Sequence, residues 1–124
     1  GVFDKDFYKS SWGDSLDTVK ESDSSVEFNE IGGRLSCDRE FLGYSCSVTY
    51  IFLDDELSEG DISISDEEGN LDTIFEDVSS QLISKYGEAK SQTDSMLMIE
   101  TSDSIIMCSK NAAYVSVKFG VTLN

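Results

Sequence analysis

The sequence predicts an α+β domain: an antiparallel sheet of about five to six strands with one long amphipathic helix packed on one face and a short N-terminal helix. Three observations predict it. In residues 45–53, Cys46, Val48, Tyr50 and Phe52 alternate with Ser45, Ser47 and Thr49, the period of a strand with one face on a core. Leu71, Ile74, Phe75, Val78, Leu82, Ile83 and Tyr86 recur at the spacing of one helical stripe. Strand-like stretches both precede and follow that helix. One domain over 1–124 fits the length, because no proline, low-complexity linker or internal repeat divides the chain.

The elements follow in order. Phe3, Phe7, Tyr8 and Trp12 crowd the first dozen residues, too much apolar surface for a free tail, so this arm is expected to pack on the domain. Asp14 is placed to cap a short helix over about 15–21, with Asp17 three residues on and Leu16 and Val19 pointing inward. Val26 to Ile31 alternate as a strand, Gly32-Gly33 signals a turn, and Leu35, Cys37 and Phe41 share a face of the next strand. After a loop at Leu42-Gly43 and the strand over 45–53, Asp54-Asp55-Glu56 forms a hairpin connection. Gly60, Ile62 and Ile64 return on one side, and Leu57, out of phase with them, predicts a bulge near Ser58 to Gly60.

Asn70 stands at the start of the helix over 71–86, Asp72, Glu76 and Asp77 suit its positive end, Lys85 suits the last turn and Gly87 is the expected terminating residue. At ~1.5 Å per residue the helix is about 24 Å long, enough to cross five strands. Strands over 95–101, 104–109 and 113–121 close the chain. The opposite, Ser- and Thr-rich sheet face is expected to be solvated or partly covered by the aromatic arm.

The charge excludes more than it identifies. With 9 Lys+Arg against 25 Asp+Glu, the net charge of −16 lacks the cations that give affinity for nucleic-acid phosphates. No histidine is present, which removes Ser-His-Asp and Cys-His catalysis and His-containing zinc sites. No apolar run approaches the ~20 residues of a membrane span. Three cysteines are too few for a disulfide framework; Cys37 and Cys46 are read either as a cross-strand disulfide or as buried thiols, and with no His and no Lys but Lys110 beside Cys108 to stabilise a thiolate, none of the three is expected to be a nucleophile.

From Glu40 to Ser84 there is no Lys or Arg, while twelve acids fall in the stretch. Either this is a solvated face that maintains solubility, or it attracts a basic protein surface. The candidate interaction residues are Asp54, Asp55, Glu56, Glu59, Asp66, Glu67 and Glu68. Asp66, Glu68, Asn70 and Asp72 alternate as oxygen ligands do in a calcium loop, a candidate weak cation site. An EF-hand needs Gly at its sixth position and Glu at its twelfth, where this chain has Leu71 and Asp77. A carboxylate pair doing acid/base work needs one acid buried, and Glu100 is the candidate least confined to a turn. No catalytic residue and no cofactor is assigned.

Trp12-Gly13-Asp14-Ser15 with Val19, Gly43-Tyr44 before Tyr50-x-Phe52, Asp54-Asp55-Glu56-Leu57, and Leu82-x-x-x-Tyr86-Gly87 together resemble a group of uncharacterised small bacterial domains from secreted or lipoprotein contexts in gut Firmicutes. In that group the Tyr-Gly is followed within two residues by Pro, where this chain has Glu88 and Ala89. More distantly, the architecture is similar to the small α+β modules of outer-membrane assembly lipoproteins and β-lactamase inhibitors, which bind proteins through a sheet face. The chain opens on Gly1 rather than Met, which predicts a trimmed or processed domain with any signal or anchor segment outside it.

The functional expectation is therefore a non-enzymatic binding module, secreted or tethered to the cell envelope, with a cytoplasmic home still open. Its partner is a protein with a basic surface, met by the polar sheet face or by the acidic hairpin and helix start. The alternatives are a small hydrolase using a carboxylate pair and a weak calcium-responsive module.

Overall fold

The structure is a computed structural model and describes residues 1–122. The elements are α1 (Leu16–Ser22), β1 (Asn29–Ile31), β2 (Arg34–Phe41), β3 (Tyr44–Leu53), β4 (Glu56–Ser65), α2 (Leu71–Tyr86), β5 (Ser91–Gln92), β6 (Met96–Glu100), β7 (Ser104–Lys110) and β8 (Tyr114–Val121). All eight strands form one antiparallel sheet in the order β1-β2-β3-β4-β8-β7-β6-β5. This overturns the expected five to six strands beneath one long helix. The molecule is mostly sheet, and its helices hold only 7 and 16 residues. The difference has a physical source: the edge strand β5 has two polar residues, too few to show a period, while the stretch expected as a strand from Val26 forms one only at Asn29–Ile31.

The strand order reveals a repeat that the residues conceal. A helix followed by a four-stranded meander occurs twice, α1 with β1–β4 and α2 with β5–β8, and the meanders meet where β4 pairs β8. In the first meander every connection is a two-residue turn with both residues at positive φ: Gly32-Gly33, Leu42-Gly43 and Asp54-Asp55. This is the geometry whose twist matches that of paired strands. Ser58 is the extra residue of the bulge, because Ile51 pairs with Glu59 and Phe52 with Leu57.

One sheet face carries the core. The row Leu35, Tyr50, Gly60, Phe119, Ile106, Ile99 crosses six strands, and beside it runs Cys37, Val48, Ile62, Val117, Cys108, Leu97. Eight strands at ~4.8 Å are wider than a 16-residue helix is long. Helix α2 accordingly packs chiefly on β6, β7 and β8, burying Ile74, Phe75, Val78 and Leu82. The other half is covered by the N-terminal arm. Phe7 is fully buried between Tyr50, Phe119 and Trp12, and Phe3 stacks edge-on against Phe119 and tilted against Phe41. Trp12 Nε1 donates to Ser104 Oγ at 3.0 Å and so ties the arm to β7. The arm thus lies on the apolar face, beside α2, and not on the polar face.

The cap of α1 is Ser15, not Asp14: Ser15 Oγ accepts from Thr18 N. Asp14 is occupied one step earlier, its carboxylate accepting from Ser11 N at 2.9 Å and its carbonyl from Leu57 N at 2.8 Å. At α2, Asn70 occupies the cap position without a side-chain bond, and Asp66 accepts from Asn70 N at 2.9 Å instead.

Candidate functional site

Alternation decides what the opposite sheet face displays. Every inward residue of the core rows is flanked by outward ones, so Ser47, Ser63, Ser116 and Ser109 line up in one cross-strand row through β3, β4, β8 and β7. Asp38 continues the row on β2 and Met96 on β6. The neighbouring row reads Ser36, Thr49, Asp61, Lys118, Met107, Met98. No helix or arm residue of the described chain packs across this face. It is a broad surface of hydroxyls with acids at the β2–β4 end and methionines at the β6–β7 end.

The acids of that face are not evenly dispersed. Glu59 and Asp61 are two residues apart on β4 and project to the same side. Asp61 is only partly exposed, and its Oδ1 is buried with no hydrogen-bond partner among the described residues. Burial raises the Asp61 carboxyl to about 7, the adjacent Glu59 adds to the rise, and Lys118 and Arg34 oppose it. Asp38 and Glu40 are exposed on β2 of the same face. With Lys118 and Arg34 as the nearby cations, the β2–β4 end of the face is net negative.

The residues singled out from the sequence do not form one surface. Asp54, Asp55 and Glu56 sit at the start of β4 and Asp66, Glu67 and Glu68 just past its end, so the length of that strand, about 30 Å, separates them. Glu59 belongs with the hairpin end. Asp55 has structural work, since its Oδ1 accepts from Leu16 N at 3.0 Å at the start of α1. In the candidate cation loop, Asp66 accepts from Asn70 N and Glu68 N, and Asp72 pairs with Lys110 at 2.8 Å. The backbone donors hold the Asp66 carboxyl below its ordinary range. Among the described residues no group of three or more His, Cys, Asp or Glu is arranged to hold a metal ion. Glu100 is exposed and paired with Lys90.

A second polar cluster lies under the arm, and sequence reasoning missed it. Arg39 is on the apolar side of β2, its side chain 10% exposed. Its Nε donates to Tyr50 Oη at 3.1 Å, an Nη donates to Asp23 at 3.1 Å, and the plane lies 4.2 Å from the Tyr8 ring centroid. Asp23 is buried and also accepts from Ser25 N and Oγ, and these bonds with Arg39 hold its carboxyl at about 2. A cleft of about 200 Å³ opens beside them, lined by Phe3, Tyr8, Lys9, Asp23 and Arg39. One available signal was phase: Arg39 falls on the same alternation as Leu35, Cys37 and Phe41.

All three cysteines are free and buried. Cys37 faces Val48 and Cys46 faces Arg39, so the two thiols are diagonal neighbours. Such positions lie roughly 7–8 Å apart, outside the reach of a disulfide. Burial pushes all three thiols up, Cys108 to about 11. Among the described residues no helix is long and apolar enough to cross a membrane. Comparison of the chain with family models, characterised proteins and solved structures finds no match.

Proposed function

We propose that this protein is a non-enzymatic binding module that receives a basic protein surface on the β2–β4 end of its bare sheet face. The observation that carries the reading is an uncovered face crossing eight strands, with Asp38 and Glu40 on β2 and Glu59 and Asp61 on β4 all in one half of it. A net charge of −16 attracts a cationic partner at long range and disfavours a second copy of the chain. The serine row suits such a partner, because short hydroxyls lie low on the face and accept or donate hydrogen bonds at little entropic cost. The acidic hairpin borders this face through Glu56 and Glu59. The loop at Asp66 to Glu68 lies at the far end of β4 and is assigned no part.

The Glu59–Asp61 pair also supplies the feature that a carboxylate hydrolase requires, one acid with a raised pKa. It stands on a sheet surface open to solvent, which favours recognition over catalysis. An extracellular or envelope-tethered setting is part of the proposal and rests on the resemblance carried by the Trp12-Gly13 and Tyr86-Gly87 segments. A precursor with a signal peptide and lipobox Cys supports that setting, and a coding sequence with neither removes it.

The test is capture from envelope and cytosol fractions of the source organism with three baits: the unaltered chain, Ser63→Arg on the face, and Asp66→Asn/Glu68→Gln in the loop. A basic protein that elutes as salt rises, is lost with Ser63→Arg and is retained by the loop variant supports the reading. Retention by Ser63→Arg and loss with the loop variant sinks it.

A further inference from the structure

Methionine is ordinarily a core residue, and this core is built without it. The buried cluster contains 23 apolar side chains, and none is methionine. The chain has three methionines, and all three stand on the outer face of two adjacent strands. Met98 faces Met107 directly across the β6–β7 ladder, and Met96 follows Met98 by two residues on the same side. Met96 is 42% exposed, and Met98 and Met107 are partly exposed. Facing Cβ atoms on such a ladder are about 4.5–5.5 Å apart and diagonal ones roughly 7–8 Å. A methionine side chain has three rotatable bonds, so three sulfurs starting from these positions can meet at one point above the sheet.

We propose that Met96, Met98 and Met107 form a three-thioether site for a soft monovalent cation of the copper(I) class. Thioether sulfur is neutral and polarisable and selects soft ions; it competes poorly with water for zinc, calcium or magnesium. The preorganisation comes from the sheet, because register holds the three Cα positions and only flexible side chains move on binding. The hard group nearest in register is Glu100, two residues beyond Met98 on the same side, and it is engaged by Lys90; Ser109 faces Met96, and Lys118 faces Met107 from β8. The negative field of the whole chain raises the local concentration of any cation. This site is distinct from the acidic end of the face and stands or falls independently of the proposed protein partner.

The test uses the full chain labelled with ¹³C at the methionine methyl groups, titrated with silver(I) as an air-stable soft probe and then, without oxygen, with copper(I) kept reduced by ascorbate. All three methyl resonances are expected to move together and to saturate at one ion per chain. Zinc(II) at the same concentration should leave them in place. Met98→Leu keeps the volume of the side chain and should weaken binding tenfold or more with the rest of the spectrum unchanged. Met96→Leu, at the most exposed position, provides a second variant with minimal risk to folding. Stationary methyl resonances, unchanged affinity in both leucine variants, or uptake that disappears only when the three cysteines are replaced would each overturn the site.

Discussion

The ring of Phe7 occupies the space that a side chain on residue 60 would need: a Cβ built on Gly60 would lie 2.2 Å from Phe7 Cζ. Gly60 sits in the middle of β4, where glycine costs strand stability, and it pairs with Tyr50 on one side and Phe119 on the other. The missing side chain is therefore the socket that seats the arm over the half of the core that α2 does not reach.

Gly60→Ala should destabilise the protein by about 3 kcal/mol or more, because Phe7 is fully buried and its ring cannot swing away. That corresponds to a fall in Tm of roughly 10 °C for a chain of this size. Adding Phe7→Leu should recover part of the loss, so the double variant is more stable than the sum of the single changes by about 1 kcal/mol or more. Additive effects in thermal or urea unfolding would show that the arm is seated some other way.

Asp23→Ala leaves the Arg39 guanidinium buried without its counter-charge and should cost about 3–5 kcal/mol. Asp23→Leu combined with Arg39→Met removes both charges and should lie well closer to the unaltered protein. Urea midpoints of the three proteins decide this; equal losses in the single and double variants would mean that the pair is not an electrostatic unit.

Asp61 gives stability an unusual slope with pH. Its folded-state pKa is raised, so its contribution is complete below the ordinary carboxylate range and is lost as pH rises through about 7. Asp61→Asn should therefore be more stable than the unaltered chain at about pH 8, by on the order of 1 kcal/mol once solvent screening is allowed for, and equal to it near about pH 4. Asp23 has the opposite sign: its contribution is present above the ordinary carboxylate range and disappears only as pH falls through about 2. Melting temperatures across that range for both proteins test the assignment, and parallel curves would refute it.

The thiols should be silent in the folded protein. Cys37, Cys46 and Cys108 are 5%, 8% and 0% exposed, and burial raises each pKa. Labelling by a thiol reagent near neutral pH should be roughly a hundredfold slower than in denaturant, where three equivalents react. Rapid native labelling at any one of them would show local opening of the sheet.

Local structure was legible wherever a period or a turn residue had room to act. The helix over 71–86, the strand ending at Leu53 and the bulge at Ser58 stand where alternation and the helical stripe place them. The two-residue edge strand β5 carries no period and was not legible, and the strand expected over Val26 to Ile31 forms only at Asn29–Ile31. The cap moved from Asp14 to Ser15 because Asp14 is drawn into bonds with Ser11 and Leu57, the latter 43 positions away and invisible to local rules.

The candidate site was legible in composition but not in place. The lysine- and arginine-free stretch from Glu40 to Ser84 is a property of the chain, and so is the alternation that puts hydroxyls on one side of β3. Only the tertiary structure separated the hairpin acids from those of the Asp66 loop, since a strand of ten residues runs between them. It alone assembled four serines from four strands into one row, because cross-strand register is set by turn geometry and core packing rather than by sequence proximity. The same register gathered methionines 96, 98 and 107. Sequence determined the faces, the absence of histidine chemistry and the turn positions; long-range pairing decided which residues on those faces are neighbours.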